Sequence, residues 1–468
     1  MITDRAMVAG RRDRTTRDLA SIVVLFALLS AIYWAAVWLV CGKVGFPLDD
    51  AFIHLQFARN LDNDGQMAFN AGVPSGGSTA PLYPVLLAGF HYLLGNWYAA
   101  SYALGALCSL GTAIAVYGIM RSWTGQTHLA RWAGLLTVVV APTVVQAYGG
   151  MEAPVYSLLF LLGLWCYASP RRQPLASVFW ALTIWLRPEF LLLCPLILLE
   201  RILTYRRSLD RRPAKLFTEC ATHLVIWAAV VLAYAAYHFH QDGQFVPTTF
   251  TAKSVATGLP KPEWMDSLPA ALDKGHWVQA WFAVSVWPTV ILCSVALGIT
   301  IICAPLLFGL RRAVPNLWHG DDPSVAGWRI GILVLLGYPW LRGLVDTWGI
   351  FMFQQQRYFA HFTPLVILLV IAAHRRGADS SEKPQMRRTF RWAFAGFLLT
   401  TAISVLSVSN INDMQVTIGD WIRTNTTPDQ LIAANDIGAM AFIGERRILD
   451  TVGLVEPDLV KHYRAGGT

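Results

Sequence analysis

Two adjacent carboxylates and a histidine one helical turn later lie in the polar loop that follows the first apolar stretch of the chain. Asp49 and Asp50 are followed by His54, and apolar residues recur at helical spacing from there, which predicts an amphipathic interfacial helix over residues 49–62. Asp50 and His54, four residues apart, share its polar face. Neighbouring carboxylates above a membrane span can raise one another's pKa, as suits a general base. The alternative is an Asp N-cap pair on a solvated face.

Two further charged motifs are expected on the same side of the membrane. Glu152 follows Gly149-Gly150 at the mouth of two apolar stretches, and Arg187 and Glu189 flank a proline between two short apolar runs. Ionisable groups at such a depth are candidates for function. The alternative for Arg187 and Glu189 is a structural ion pair that closes a hairpin.

Three cations are expected on this side, where positive residues are otherwise few. They are Arg187, Lys253 and Arg357. Near an acidic first loop, they indicate a cavity that holds a lipid phosphate close to a carboxylate. The alternative is snorkelling of each side chain to the headgroup boundary.

The segment from Asn70 to Pro84 is rich in glycine and serine. Such a run is typical of a flexible connector. It is also typical of a loop whose backbone N–H groups meet a phosphate.

The composition places these motifs in a membrane protein. Of 468 residues, 55% are hydrophobic and 14% are charged, against about 25% charged in soluble proteins. This excludes a soluble domain, a disordered chain and a collagen-like repeat. Seven dispersed cysteines form no disulfide or zinc pattern, and the net charge of +8 is not organised as a nucleic-acid patch.

The apolar stretches predict an all-α polytopic membrane protein with about 9–11 passes. Lys and Arg concentrate in every second segment between the apolar stretches, which indicates a cytoplasmic N-terminus and an extracytoplasmic C-terminus. This topology requires residues 81–95 to form a half-helix that does not span. It also requires residues 175–204 to form two short helices with Arg187-Pro188-Glu189 at the tip.

We therefore divide the chain into three parts. Residues 1–18 are a cytoplasmic N-terminus. Residues 19–410 are a transmembrane domain whose first extracytoplasmic loop covers residues 42–97. Residues 411–468 are polar with short apolar runs, which predicts a small α/β tail outside the membrane.

The ordered set of motifs resembles bacterial GT-C glycosyltransferases. The likeness is to terminal arabinofuranosyltransferases and to dolichyl-phosphate-mannose mannosyltransferase-like proteins. It rests on Leu48–Ile53, Phe69-Asn70, Ser75–Leu82, Gly150–Glu152, Arg187–Glu189, Pro247–Lys253 and the tail segments Ile432–Ala439 and Asp450–Leu454. The tail of about 58 residues is smaller than the sugar-binding domains of the larger arabinosyltransferases, so donor and acceptor are not carried over from the resemblance.

The resemblance implies an enzyme of the bacterial inner membrane that moves a sugar from a polyprenyl-phosphate carrier. The acceptor would be an extracytoplasmic glycan, lipid or protein. Family enzymes use an acidic residue of the first outer loop as base or metal ligand, which maps onto Asp50 or Asp49. The pair would also suit Mg²⁺ or Mn²⁺, but the base is the preferred role.

The other candidate residues receive supporting roles in this hypothesis. Lys253, Arg187 and Arg357 neutralise the departing phosphate, and Glu152 and Glu189 orient those cations or sugar hydroxyls. His54 also contacts the substrate.

Two alternative functions remain open at this level. The first is a transporter or flippase for a lipid-linked or anionic solute, which the charged hairpin and the three cations would also suit. The absence of a visible internal repeat counts against it. The second is a non-catalytic scaffold of an envelope complex.

Overall fold

The computed structural model of the protein describes residues 2–140, 142–207, 212–249, 252, 318, 324–345, 362–373 and 382–464. Within these residues helices dominate, and the strands form two small two-stranded sheets.

The helices are numbered in chain order. Those of the first half are α1 (Ile2–Cys41), α2 (Asp50–Asp64), α3 (Leu82–Leu94), α4 (Trp97–Thr124), α5 (Thr127–Val139), α6 (Pro142–Ala147), α7 (Ala153–Tyr167), α8 (Gln173–Leu182), α9 (Leu193–Arg207) and α10 (Pro213–Asp242). Those of the second half are α11 (Val325–Val345), α12 (Phe362–Ala373), α13 (Glu382–Ile411), α14 (Thr417–Asn425), α15 (Gly438–Gly444) and α16 (Pro457–Arg464). The strands are β1 (Ala68–Asn70), β2 (Val73–Pro74), β3 (Leu431–Ala434) and β4 (Arg447–Asp450).

Four helical segments in the described part of the chain are long and apolar enough to cross a bilayer. They are Arg14–Cys41, Trp97–Thr124, Pro213–Asp242 and Met386–Asn425. The last is a continuous helix from α13 to α14 that contains a π-helical turn at Asn412–Val416.

Helix α1 shows how these segments meet both protein and lipid. Ile22, Phe26 and Tyr33 are buried at spacings of four and seven residues, whereas Val24 and Leu28 are exposed. A helix that is apolar on both its buried and its exposed faces is suited to a bilayer rather than to water. This confirms the expected all-α membrane architecture.

The segment 175–204 forms the predicted pair of short helices. α8 and α9 are joined by 3₁₀ turns at Thr183–Trp185 and Pro188–Leu192. Their far ends meet, because Arg201 Nη1 donates a 3.0 Å hydrogen bond to Gln173 Oε1. The segment therefore returns to the end at which it began, with Arg187 near its tip. Residues 81–95 likewise contain the short helix α3.

The tail forms the expected small α/β unit. Strands β3 and β4 pair in parallel, with Leu431 opposite Arg447 and Ala434 opposite Asp450, and α15 connects them. The Asp450 carboxylate accepts hydrogen bonds from the backbone N–H groups of Val452 and Val455, which fixes the turn after β4. Burial raises its pKa. Asp450 thus has a structural role as a strand-end residue.

Helix α2 differs from the interfacial helix that the sequence predicts. Its Phe57 packs in a second core with Phe69 of the first loop and Ile437, Ile448 and Val455 of the tail. The tail thus packs on one side of α2. His54 of the polar face is only 8% exposed and lies against Glu152 and Tyr83, so this face contacts protein rather than water.

Candidate active site

Asp49 joins the first loop to the tail. Its Oδ2 accepts a hydrogen bond of 2.7 Å from the backbone N–H of Gly438, and its Oδ1 accepts one of 2.8 Å from that of Ala439. Burial raises the pKa of the Asp49 carboxyl to about 6, although these hydrogen bonds partly oppose the shift. Both oxygens are therefore engaged at the first turn of α15.

Asp50 has a different position from its neighbour. It is the first residue of α2 and is half-buried. Since it lies in the first turn, its carboxylate is favoured by the positive end of the helix dipole.

His54, one turn beyond Asp50, faces the buried carboxylate of Glu152. Nε2 lies 3.2 Å from Glu152 Oε2, and the imidazole meets the ring of Tyr83 edge-on at 5.0 Å. Among the described residues, Nδ1 has no hydrogen-bond partner.

Arg187 continues this chain of charges. Its guanidinium pairs with Glu152 Oε1 and lies 3.3 Å from Glu189 Oε1. Glu152 and Arg187 are only 3% and 9% exposed. The sequence motifs from the α6–α7 turn, from the hairpin tip and from α2 are thus brought together in one buried chain: His54, Glu152, Arg187 and Glu189.

Gly150 allows the Glu152 turn to approach α2. It has a φ of +69°, which L side chains rarely adopt. A Cβ at this position would come within 2.6 Å of Ala51 Cβ and of the Phe46 ring. The glycine is therefore required both for the turn and for the distance between Glu152 and His54.

The glycine- and serine-rich loop is packed rather than a flexible connector. A Cβ on Gly76 would collide with the Asp242 carboxylate at the end of α10, and one on Gly77 would lie 2.7 Å from the Leu454 carbonyl. Ser75 Oγ also donates a hydrogen bond to the Val455 carbonyl. The loop is held between α10 and the tail.

Asn70 was part of the family-like pattern, but its partner could not be read from the sequence. Its amide donates to the Ile448 carbonyl and accepts from the Ile448 N–H, each at 2.9 Å. This side chain therefore pairs with β4 much as another strand would, and it is a second point at which the tail is held on the first loop.

Two proposed phosphate ligands, Lys253 and Arg357, lie outside the described residues. Within the described ranges, no three His, Cys, Asp or Glu side chains converge as a metal site. The Asp49–Asp50 pair thus has no third ligand of these types among the residues that the structure describes.

The arrangement can handle a proton in a site sheltered from water. A half-buried carboxylate and an oriented imidazole lie on one helix, beside a buried ion chain and beneath the tail. Such a site can accept a proton from a hydroxyl group and can order a charged reactant without bulk water.

Comparisons with known proteins agree with this architecture. A family model described as a domain of unknown function (DUF8728) matches residues 409–466, which is the tail. No curated protein sequence matches the chain significantly.

Several solved structures share the fold over most of the chain. ArnT from Cupriavidus metallidurans bound to undecaprenyl phosphate aligns with a TM-score of 0.56 and 13% identity, covering 92% of this chain and 85% of ArnT. The apo state of ArnT from the same organism aligns with a TM-score of 0.55 and 14% identity, covering 92% of this chain and 86% of ArnT. A third structure is the archaeal oligosaccharyltransferase AglB from Archaeoglobus fulgidus, in complex with an inhibitory peptide and a dolichol-phosphate. It aligns with a TM-score of 0.54 and 13% identity, covering 92% of this chain and 64% of AglB.

At this level of identity the likeness concerns the fold. ArnT and AglB both have the GT-C fold, and the match extends over 92% of the chain. The protein is therefore a multi-pass membrane protein with the GT-C fold.

Proposed function

We propose that the protein is a membrane glycosyltransferase that moves a sugar from a polyprenyl-phosphate carrier to an extracytoplasmic glycan, lipid or protein. The observation that carries the proposal is the buried chain of His54, Glu152 and Arg187 against the acidic helix α2, within a GT-C fold. The lipid phosphates in the ArnT and AglB structures support a polyprenyl-phosphate partner.

The reaction is an inverting displacement at the anomeric carbon. The acceptor hydroxyl oxygen forms a bond to that carbon as its proton passes to a carboxylate base. The bond from the anomeric carbon to the phosphate oxygen breaks, and the polyprenyl phosphate leaves with the electron pair.

Asp50 is the base in this proposal, and Asp49 is the residue that holds the tail. The two oxygens of Asp49 each accept a backbone N–H from α15, so the tail already occupies the positions at which an acceptor hydroxyl would have to approach. Asp50 instead lies in the first turn of α2 and is half-buried, so it is partly open to solvent.

The carboxylates around Arg187 give it a different role from the two other candidate cations, Lys253 and Arg357. Arg187 lies between two carboxylates, so this group of three carries a net negative charge and would repel a phosphate on its own. We therefore assign phosphate neutralisation chiefly to Lys253 and Arg357, and we assign Arg187 the positioning of Glu152.

We also propose a bacterial inner membrane location with the N-terminus in the cytoplasm. The Lys and Arg distribution supports this orientation. The tail and α2 would then face the periplasm, where an acceptor hydroxyl is available.

The test is sugar transfer by the purified protein in lipid nanodiscs, with a panel of polyprenyl-phosphate sugars and released polyprenyl phosphate as the readout. Asp50→Asn should lower turnover by about 10²- to 10⁴-fold. Asp64→Asn is the matched control, because Asp64 is an exposed residue at the other end of α2.

Other outcomes would change the assignment. Wild-type turnover by Asp50→Asn would remove Asp50 as the base. Loss of turnover in EDTA would assign the aspartates to a metal. No turnover with any donor, together with passage of the carrier across a liposome membrane, would favour a flippase.

A further inference from the structure

One face of α10 follows the Ser75–Thr79 loop near the end of the bundle that carries the tail. Tyr234, His238 and Asp242 are spaced four residues apart and therefore share this face. The Tyr234 hydroxyl donates to the Thr79 carbonyl at 3.2 Å, and Asp242 lies against Gly76. His238, between them, lies beside the Gly76 backbone without hydrogen-bond geometry.

The position of the loop along this face is firmly fixed. Thr248 N donates to the Gly76 carbonyl, and the Thr249 hydroxyl donates to the Gly77 carbonyl. Ser78 follows directly and is held between Gly77 and Thr79. The distance between Ser78 and the α10 face is therefore set by contacts on both sides of Ser78.

Three buried polar groups in this region lack a hydrogen-bond partner among the residues that the structure describes. They are the imidazole of His238, at both of its ring nitrogens, the hydroxyl of Ser78 and the hydroxyl of Tyr237. His238 is fully buried and Ser78 is 3% exposed. Buried polar groups are almost always hydrogen-bonded, so a cluster of three such groups indicates a polar partner.

The chemistry of the cluster is that of a carbohydrate site. Hydroxyls and an imidazole donate and accept hydrogen bonds, as sugar hydroxyls do. The Tyr234 and Tyr237 rings lie 4.5 and 4.9 Å from the His238 ring and supply apolar surface. Glu189 lies within electrostatic range of Tyr234, which connects the cluster to the buried ion chain.

We infer that His238, Ser78 and Tyr237 form a sugar-binding subsite next to the candidate active site, and that they hydrogen-bond the hydroxyls of the transferred sugar. This inference rests on the proposed function. The same chemistry would suit a sugar of the acceptor, and the experiment separates these two sources.

The primary measurement is the affinity of the protein in nanodiscs for undecaprenyl phosphate and for undecaprenyl phosphate carrying mannose, glucose or arabinose. The wild type should bind one sugar-bearing carrier more tightly than the bare carrier. His238→Phe and Ser78→Ala should each weaken that binding about threefold to tenfold. Neither should change the affinity for bare undecaprenyl phosphate.

These variants also separate ligand binding from a structural role. Replacing an unpaired buried polar group with an apolar one is neutral or stabilising, so both variants should fold and melt at or above the wild-type temperature. Thr401→Val is the control, since Thr401 Oγ1 is also buried without a partner in the described structure but lies in α13. It should leave binding of every carrier unchanged.

Each outcome has a distinct meaning. Unchanged donor affinity with a raised KM for the acceptor would assign the subsite to the acceptor. Unchanged donor affinity and acceptor KM in stable variants would overturn the subsite. A wild type that binds neither form of the carrier would instead contradict the proposed function.

Discussion

The Asp49 carboxylate accepts a hydrogen bond of 2.7 Å from the backbone N–H of Gly438, a residue 389 positions further along the chain. With the neighbouring bond from Ala439, it satisfies two N–H groups at the start of α15 that the helix itself leaves unpaired. The two aspartates of the first loop thus differ in their surroundings, although they are adjacent in the sequence.

Removal of this carboxylate should loosen the tail. In Asp49→Ala, α15 loses two hydrogen bonds to a charged acceptor, which stabilise a helix start by about 1–2 kcal/mol. Hydrogen exchange of residues 431–450 should therefore accelerate. Asp50→Asn should leave this exchange at the wild-type rate. If Asp49→Ala also exchanged at the wild-type rate, Asp49 would not hold the tail.

The raised pKa of Asp49 predicts a pH dependence of stability. Because the folded protein binds this proton more tightly than the unfolded chain does, the wild type should gain stability as the pH falls from 7 through about 6 to about 4. The gain relative to Asp49→Asn should approach about 3 kcal/mol. Thermal unfolding of both proteins across this range provides the measurement, and a constant difference would contradict the raised pKa.

Gly150 should tolerate alanine poorly because of packing as well as backbone strain. Gly150→Ala would place a Cβ 2.6 Å from Ala51 Cβ, so a cost of about 1–3 kcal/mol for overpacking adds to about 1–2 kcal/mol for the backbone. Gly72→Ala is the control, with a φ of +74° but open space around it. Gly150→Ala should lower the unfolding temperature and the rate of sugar transfer more than Gly72→Ala does. If the two variants had equal effects, the close packing around Gly150 would not contribute to the cost.

The buried ion chain predicts an order of effects among its members. Arg187→Gln leaves the carboxylates of Glu152 and Glu189 without their shared cation, and an unpaired buried charge costs about 3–5 kcal/mol. Glu152→Gln leaves Arg187 paired with Glu189 and should cost less. Unfolding midpoints of the two variants test this order. Arg423→Ala, at a half-exposed pair with Asp420, should lower the midpoint only slightly.

Local patterns predicted much of the architecture. The short helices α8 and α9 follow from the length of the apolar run and the basic residues at both ends, and the α/β tail follows from its polarity and short apolar segments. These features depend on nearby residues and on the membrane. They can therefore be read without knowledge of the distant contacts.

The burial of α2 and the role of Asp49 could not be predicted in this way. Both depend on the tail, which reaches Asp49 and Asn70 from more than 370 residues away. A local pattern cannot show that a helix beside the membrane will be covered by a remote segment. The Gly149-Gly150 pair before Glu152 was the one local signal of a close approach at the site.

The distance along the chain between the first loop and the tail also has a consequence for biosynthesis. At about 5–20 residues per second, a ribosome needs about 20–80 s to proceed from Asp49 to Gly438. During this interval α2 has already been made, but the tail segment that packs on it has not. The nascent chain therefore cannot complete the burial of α2 until nearly all of the residues before the tail have been synthesised, which delays formation of the candidate site until a late stage of assembly.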